Sequence, residues 1–185
     1  MVALPAGFSP QEYLSLEHEN TIRHEYRQGL VYAMAGGSDD HSRIAINFLT
    51  ALNLHLREGN CQFFSGDVKV NYADAFFYYP DAFVTCDPRD QADRYVKRYP
   101  KLVTEVLSPS TADFDQGDKF KDYTLLTSLE EYVLIAQDKM QVECRCRIGE
   151  QQWENTIYSM GEQVIFKSIE LELSIEELYR GTSVV

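Results

Sequence analysis

Leu102-Val103-Thr104-Glu105-Val106-Leu107-Ser108-Pro109-Ser110 is an apolar, strand-favouring run with one carboxylate inside it and a Ser-Pro-Ser breaker at its end. A second stretch, Tyr78-Tyr79-Pro80-Asp81-Ala82-Phe83-Val84, repeats the arrangement around Asp81, and Asp118-Lys119-Phe120 follows the breaker. A charge inside an apolar strand is costly unless it is paired or binds a metal. Residues two apart along a strand share a face, so Glu105 lies with Val103 and Leu107, and Asp81 with Tyr79 and Phe83. Neither acid has an obvious local salt-bridge partner. If the two strands adjoin, both carboxylates converge on one hard cation such as Mg²⁺. Phosphodiester hydrolysis uses such a cation to activate water and neutralise developing charge. A lysine nearby would orient the water or steady the phosphorane charge.

Outward from these stretches, the pattern alternates between strands and a few helices. Ser9-Pro10-Gln11-Glu12 predicts a helix start with a Ser cap, Pro at the first position and Glu at the third, running to about Glu17. Residues 22–35 predict two strands joined near Gln28-Gly29. Ser38 starts a long helix in which Ile44, Phe48, Ala51, Leu52 and Leu56 recur at helical spacing until Gly59-Asn60. Strands are expected near Cys61 to Ser65, Asp67 to Asn71, Phe76 to Thr85 and Lys101 to Leu107, with Pro88 to Arg98 as a polar connector. Thr111, Asp113 or Asp115 caps the next helix, which ends near Leu126-Thr127-Ser128. Tyr132 to Ala136, Val142 to Arg147 and Gln152 to Tyr158 read as later strands, and Ser174 to Tyr179 as a short closing helix. Strands outnumber helices, yet helices flank the strand groups, so the expected class is α+β with a mixed sheet.

With 185 residues the chain fits one domain, 1–185, large enough for a proper core. A composition of 44% hydrophobic and 25% charged residues excludes disorder of the whole chain. The formal charge of −12 gives no overall attraction to phosphate backbones, so a nucleic-acid role needs a local basic patch or bound cations. Arg94, Lys97, Arg98 and Lys101, interleaved with Tyr95 and Tyr99, form a candidate patch. Alone, that segment reads first as a solvated loop before a strand. Met1 to Pro10 lacks a secretory signature and no apolar run reaches membrane-spanning length, so the expected compartment is the cytoplasm. Cys61, Cys86, Cys144 and Cys146 lack zinc-binding spacing and read as buried free thiols, the last two on one strand face.

The ordered set of motifs resembles the Uma2 branch (DUF820) of the restriction-endonuclease-like PD-(D/E)XK nuclease superfamily. The residues that carry it are Phe8-Ser9-Pro10-Gln11-Glu12-Tyr13, Arg23-His24-Glu25-Tyr26-Arg27-Gln28-Gly29 and Met34-Ala35-Gly36-Gly37-Ser38 with His41. Pro80-Asp81, Glu105 to Thr111, Asp115, Lys119, Tyr123 and Glu131-Tyr132-Val133 complete it. The resemblance implies a restriction-endonuclease-like core, a central mixed sheet flanked by helices, with an N-terminal helix and β-hairpin. It implies that Asp81 and Glu105 bind the metal, with the Val106 backbone carbonyl as a further ligand. The superfamily's usual lysine would stand at position 107, which is Leu107 here, so the lysine must come from the following helix. Lys119 and Lys121 lie about 200° apart around a helix, so at most one faces the site. Lys119 shares its face with Asp115, Tyr123 and Leu126 and is the better candidate.

Glu25 matches a further acid of the family, and otherwise reads as a surface ion pair with Arg23 or Arg27. Asp67 reads as a turn residue. His41 reads first as a structural histidine at a helix start. Tyr123 hydrogen-bonds a site carboxylate or belongs to the core alone. The function these readings lead to is a Mg²⁺- or Mn²⁺-dependent endonuclease hydrolysing phosphodiester bonds in DNA. Two alternatives stand beside it: a nuclease-fold interaction protein without efficient cleavage, and a hydrolase of small phosphodiesters. A homodimer is an expectation by fold analogy, since two sites would cut both strands.

Overall fold

The computed structural model describes residues 7–34 and 36–184, so the predicted end of the first hairpin at Ala35 lies outside the described residues. Helix α1 (Pro10–Glu19) starts on a capping box in which the Ser9 side chain accepts from the Glu12 N–H and the Glu12 carboxylate accepts from the Ser9 N–H. Strands β1 (His24–Arg27) and β2 (Leu30–Ala33) form the predicted hairpin. Its turn places Gln28 at φ 49° and Gly29 at φ 88°, the left-handed pair that matches strand twist. Helix α2 (Asp39–His55), capped by Ser38, buries Ile44, Phe48 and Leu52 along one stripe.

The next strands are β3 (Gln62–Ser65), β4 (Lys69–Tyr72), β5 (Phe76–Tyr78), β6 (Ala82–Thr85), β7 (Val96–Lys97) and β8 (Leu102–Leu107). Residues 76–85 are therefore not one strand. Pro80 has no N–H for a ladder, and Tyr79-Pro80-Asp81 carries the chain from one sheet to another. Asp81 consequently sits at a corner rather than on a strand face with Tyr79 and Phe83. The connector from Pro88 to Arg98 also contains structure, a 3₁₀ turn (Pro88–Gln91) and β7, which pairs parallel to β4.

After Ser110 the helix is composite: α3 (Ala112–Phe114), a π turn (Asp115–Lys119) and α4 (Phe120–Tyr123). It ends earlier than expected, and Thr111 at its cap makes no side-chain capping bond. Strands β9 (Glu131–Ala136), β10 (Gln141–Arg147) and β11 (Trp153–Ser159) follow as read. A hairpin of β12 (Gln163–Phe166) and β13 (Leu171–Ser174), absent from the sequence reading, precedes α5 (Ile175–Leu178), which Ser174 caps.

The strands form a five-stranded sheet, β2-β1-β5-β4-β7, and a six-stranded sheet, β11-β10-β9-β8-β6-β3. The pairs β8–β9 and β4–β7 are parallel and the other ladders antiparallel, so both sheets are mixed, as the class predicts. Leu102 and Val106 of β8 join α2 and α5 in one core, whereas Val103 and Leu107 join the aromatic layer of Phe76, Tyr78, Phe83, Tyr123 and Tyr132. The period-two assignment of Glu105 to the Val103–Leu107 face therefore holds.

One expectation about the cysteines is overturned. Cys61 and Cys86 are disulfide-bonded, because the antiparallel β3–β6 register, with Gln62 opposite Thr85, sets the flanking cysteines opposite each other at a Cα–Cα distance of 4.0 Å. Cys144 and Cys146 are free and buried. Among the described residues no helix is long and apolar enough to cross a membrane.

Candidate active site

The strands β6 and β8 adjoin antiparallel, with Ala82 opposite Thr104. Extending that register by one residue brings Asp81 opposite Glu105, which is the convergence the sequence requires. Asp81 Oδ2 accepts the Val106 N–H at 2.8 Å and lies 3.3 Å from His41 Nε2. Glu105 is 4% exposed. Its Oε1 stands 2.9 Å from the Lys119 ammonium and accepts from the Tyr123 hydroxyl at 3.5 Å.

Lys119 comes from the π turn and is 4% exposed. Its Nζ also meets Glu25 Oε1 at 3.1 Å and Asp115 Oδ1 at 3.5 Å. Single π turns inside helices recur at functional sites. Here the turn presents Asp115 and Lys119 together to the sheet, and the Tyr132 hydroxyl steadies it by donating to the Asp115 carbonyl at 2.9 Å. Lys121, the competing candidate, is exposed and pairs with Asp118. Glu25 is buried and accepts the Tyr79 N–H at 3.0 Å, so it is not the surface ion pair that its neighbours suggested. Arg23 pairs with Asp67, an exposed turn acid.

Arg27 binds Asp122 and Asp118 instead of Glu25, at 2.7 and 3.2 Å. The Tyr78 hydroxyl donates to the same Asp122 carboxylate at 2.6 Å. These contacts clamp the lysine-bearing helix to β1 and β5. Arg27→Ala is expected to lower stability by about 1–3 kcal/mol, the usual worth of hydrogen bonds to a charged group. Denaturant unfolding monitored by circular dichroism checks this, and an unchanged midpoint would remove the clamp.

Glu25, His41, Asp81, Glu105, Asp115 and Lys119 share one cavity of about 140 Å³. A larger groove of about 430 Å³ between α2 and the C-terminal hairpin, lined by Leu54 and Leu171, has no comparable convergence of acids. Glu25, Glu105 and Asp115 surround a single ammonium, and Asp81 faces His41 in the same cavity. Burial drives the Glu105 carboxyl well above the usual range, Lys119 pulls it down, and the charges of Asp115, Asp81 and Glu25 raise it further. Burial likewise raises Glu25 against the pull of Lys119. Burial lowers the Lys119 pKa, but Glu105, Glu25 and Asp115 outweigh it, so the amine stays protonated. For His41, burial lowers the pKa and the hydrogen bond and charge of Asp81 more than restore it. The acids exceed what one lysine neutralises, so the pocket favours either a retained proton on Glu105 or one more cation.

The donor set fits a hard divalent cation. Asp81 Oδ1 and Glu105 Oε2 carry no hydrogen bond from described protein donors, and both residues line the cavity. Among the described residues no group of three or more His, Cys, Asp or Glu side chains is placed to hold a metal ion by itself. Asp81, Glu105 and the Val106 carbonyl would therefore share the ion with water, as suits Mg²⁺, which usually keeps several waters beside one or two carboxylates.

The candidate basic patch is not assembled. Lys97 is 3% exposed and donates to the Asp90 and Asp93 carbonyls at 2.6 and 2.5 Å. Arg98 binds Asp93 and Lys101 binds Glu130. Arg94 is exposed, and none of the four lines the acid cavity. Asp115 and His41 join the site although the sequence marks neither strongly. The Asp115–Lys119 spacing of four was a usable signal, whereas nothing local ties His41 to Asp81, forty residues away.

A mixed sheet with one acid inside β8, a second at the corner just before the adjoining β6, and a lysine delivered by the following helix, defines an α+β protein of nuclease-like, restriction-endonuclease type. The chain belongs to the Uma2 family, described as "Putative restriction endonuclease", which matches residues 10–176. It is 37% identical over 174 residues to "Uncharacterized protein slr1290" of Synechocystis sp., covering 94% of this chain and 92% of that one. A second Synechocystis relative, "Uncharacterized protein sll1609", is 32% identical over 156 residues, covering 83% and 88%. The fold is similar to the crystal structure of a "putative nuclease belonging to DUF820" from Anabaena variabilis, with a TM-score of 0.78 and 20% identity over 94% of this chain and 98% of that one.

Proposed function

We propose that this protein is a Mg²⁺- or Mn²⁺-dependent endonuclease that hydrolyses phosphodiester bonds in DNA, acting as one domain over 1–185. The observation that carries this reading is the meeting of Asp81, Glu105 and Lys119 in one cavity. Asp81, Glu105 and the Val106 carbonyl would hold the cation. When bound, it would supply Lewis-acid activation of water and charge neutralisation at phosphate. With Glu105 engaged by the cation, the Lys119 N–H that now faces Glu105 would donate to the attacking water or a phosphate oxygen as charge develops there. Glu25 and Asp115 hold that ammonium in place and keep it charged. The Val106 N–H fixes Asp81 through one oxygen and leaves the other for the ion. Homodimerisation would allow both strands to be cut, and the proposed compartment is the cytoplasm, where the Cys61–Cys86 bond would meet reducing conditions.

A second reading, hydrolysis of small phosphodiesters, is favoured by the narrow cavity and by the internal engagement of Lys97, Arg98 and Lys101. Purified protein should cleave plasmid and oligonucleotide DNA with Mg²⁺ or Mn²⁺, stop on addition of EDTA, and lose cleavage with Asp81→Ala. Turnover of bis(p-nitrophenyl) phosphate without any DNA cleavage would replace the DNA reading by the second. Equal behaviour of wild type and Asp81→Ala on both substrates would remove the enzyme reading.

A further inference from the structure

We propose that His41 is the positioning residue for Asp81, and that Gly37 is the slot that holds its ring. The inference rests on the cation site proposed above and adds two residues to it. Asp81 sits at the corner between the two sheets, where no ladder continues through it. Its side chain is 24% exposed, whereas that of Glu105 is locked at 5%. A carboxylate at such a corner has rotational freedom, and freedom in a metal ligand lowers affinity because it must be lost on binding. Two donors remove it. The Val106 N–H and His41 Nε2 both address Oδ2, at 2.8 and 3.3 Å, and so present Oδ1 to the cavity.

His41 is itself fixed from two sides. Ser38 accepts the His41 N–H at 3.1 Å, setting the first turn of α2. Gly37 packs directly against the imidazole. A Cβ at position 37 would fall 2.7 Å from Nδ1 and 2.8 Å from Cγ of His41, closer than real Cβ contacts occur, so any other residue must push the ring away. The neighbouring Gly36 meets nothing within 4 Å, so the close approach is particular to position 37. A histidine at a helix start with a merely structural role has no need of a slot that aims its far nitrogen at a site carboxylate. Partners that orient a ligand in this way typically change metal affinity by about 10–100-fold when removed.

The test is calorimetric titration of Mn²⁺ into the full chain, for wild type, His41→Ala, His41→Gln and Gly37→Ala, with thermal unfolding measured alongside. The expected result is binding by wild type, a loss of about 10–100-fold in affinity for His41→Ala and Gly37→Ala, and substantial recovery in His41→Gln, whose amide can still donate to Asp81. Wild-type affinity in folded His41→Ala or Gly37→Ala would overturn the inference, as would a lowered melting temperature with unchanged Mn²⁺ affinity. Imidazole nitrogen coupling in the electron spin echo of bound Mn²⁺ would make His41 a ligand rather than a positioning residue, and would also overturn it. Absence of binding by wild type would instead remove the cation site, and this inference with it.

Discussion

Lys119→Met is expected to lose both stability and cleavage. The methionine fills much of the space but leaves Glu25, Glu105 and Asp115, all buried, without the ammonium that meets each of them at 2.9–3.5 Å. Removing one partner of a buried ion pair costs about 3–5 kcal/mol, because the remaining charge has no solvent to turn to. For a chain of this length that corresponds to a fall in Tm of roughly 10 °C. The loss depends on pH in a defined direction. Glu25 and Glu105 already bind their protons more tightly than ordinary carboxylates, so the folded state holds protons that the unfolded chain releases. The destabilisation is therefore smallest near the ordinary carboxylate range and grows as pH rises above it. Cleavage should fall about 10²–10³-fold, the usual effect of removing one donor from the developing charge. Thermal unfolding at two pH values together with the plasmid assay checks both halves. A variant as stable as wild type at neutral pH would contradict the ion-pair account.

Glu105→Gln separates the two effects. The amide keeps the shape of the side chain and its hydrogen-bonding reach but removes one of three acids crowded around one ammonium. Relief of that crowding should leave Tm equal to or above that of wild type, since Glu25 and Asp115 still neutralise Lys119. Cation binding loses one of its two carboxylates, and cleavage should fall about a thousandfold, equivalent to several kcal/mol of charge stabilisation. Stability retained while activity is lost marks a residue kept for chemistry at the expense of the fold. A marked fall in Tm, or cleavage within a few-fold of wild type, would make Glu105 a structural acid.

Much of this arrangement was legible locally. Period-two alternation gave Glu105 its face, and helical rotation separated Lys119 from Lys121, because both are properties of a single element. The caps at Ser9, Ser38 and Ser174 and the Gln28-Gly29 turn were legible for the same reason. What escaped depends on which elements meet. Residues 76–85 read as one strand because both halves are apolar, yet Pro80 cannot donate to a ladder and the chain changes sheets there. Lys97 looks like a free cation in sequence, but the connector before it turns the Asp90 and Asp93 carbonyls onto its ammonium. Cys61 and Cys86 pair only once the β3–β6 register is known, and His41 gains its partner only when α2 packs beside the corner at Asp81.

The central claim is that Asp81 and Glu105 hold one divalent cation beside Lys119. The most direct measurement is a crystal of the full chain soaked in Mn²⁺ and recorded for anomalous scattering. The account predicts one anomalous peak within ligand distance of both carboxylates and the Val106 carbonyl. Saturating Mn²⁺ with no peak there, or a peak held by other residues while Asp81 stays on His41 and Glu105 on Lys119, would contradict it.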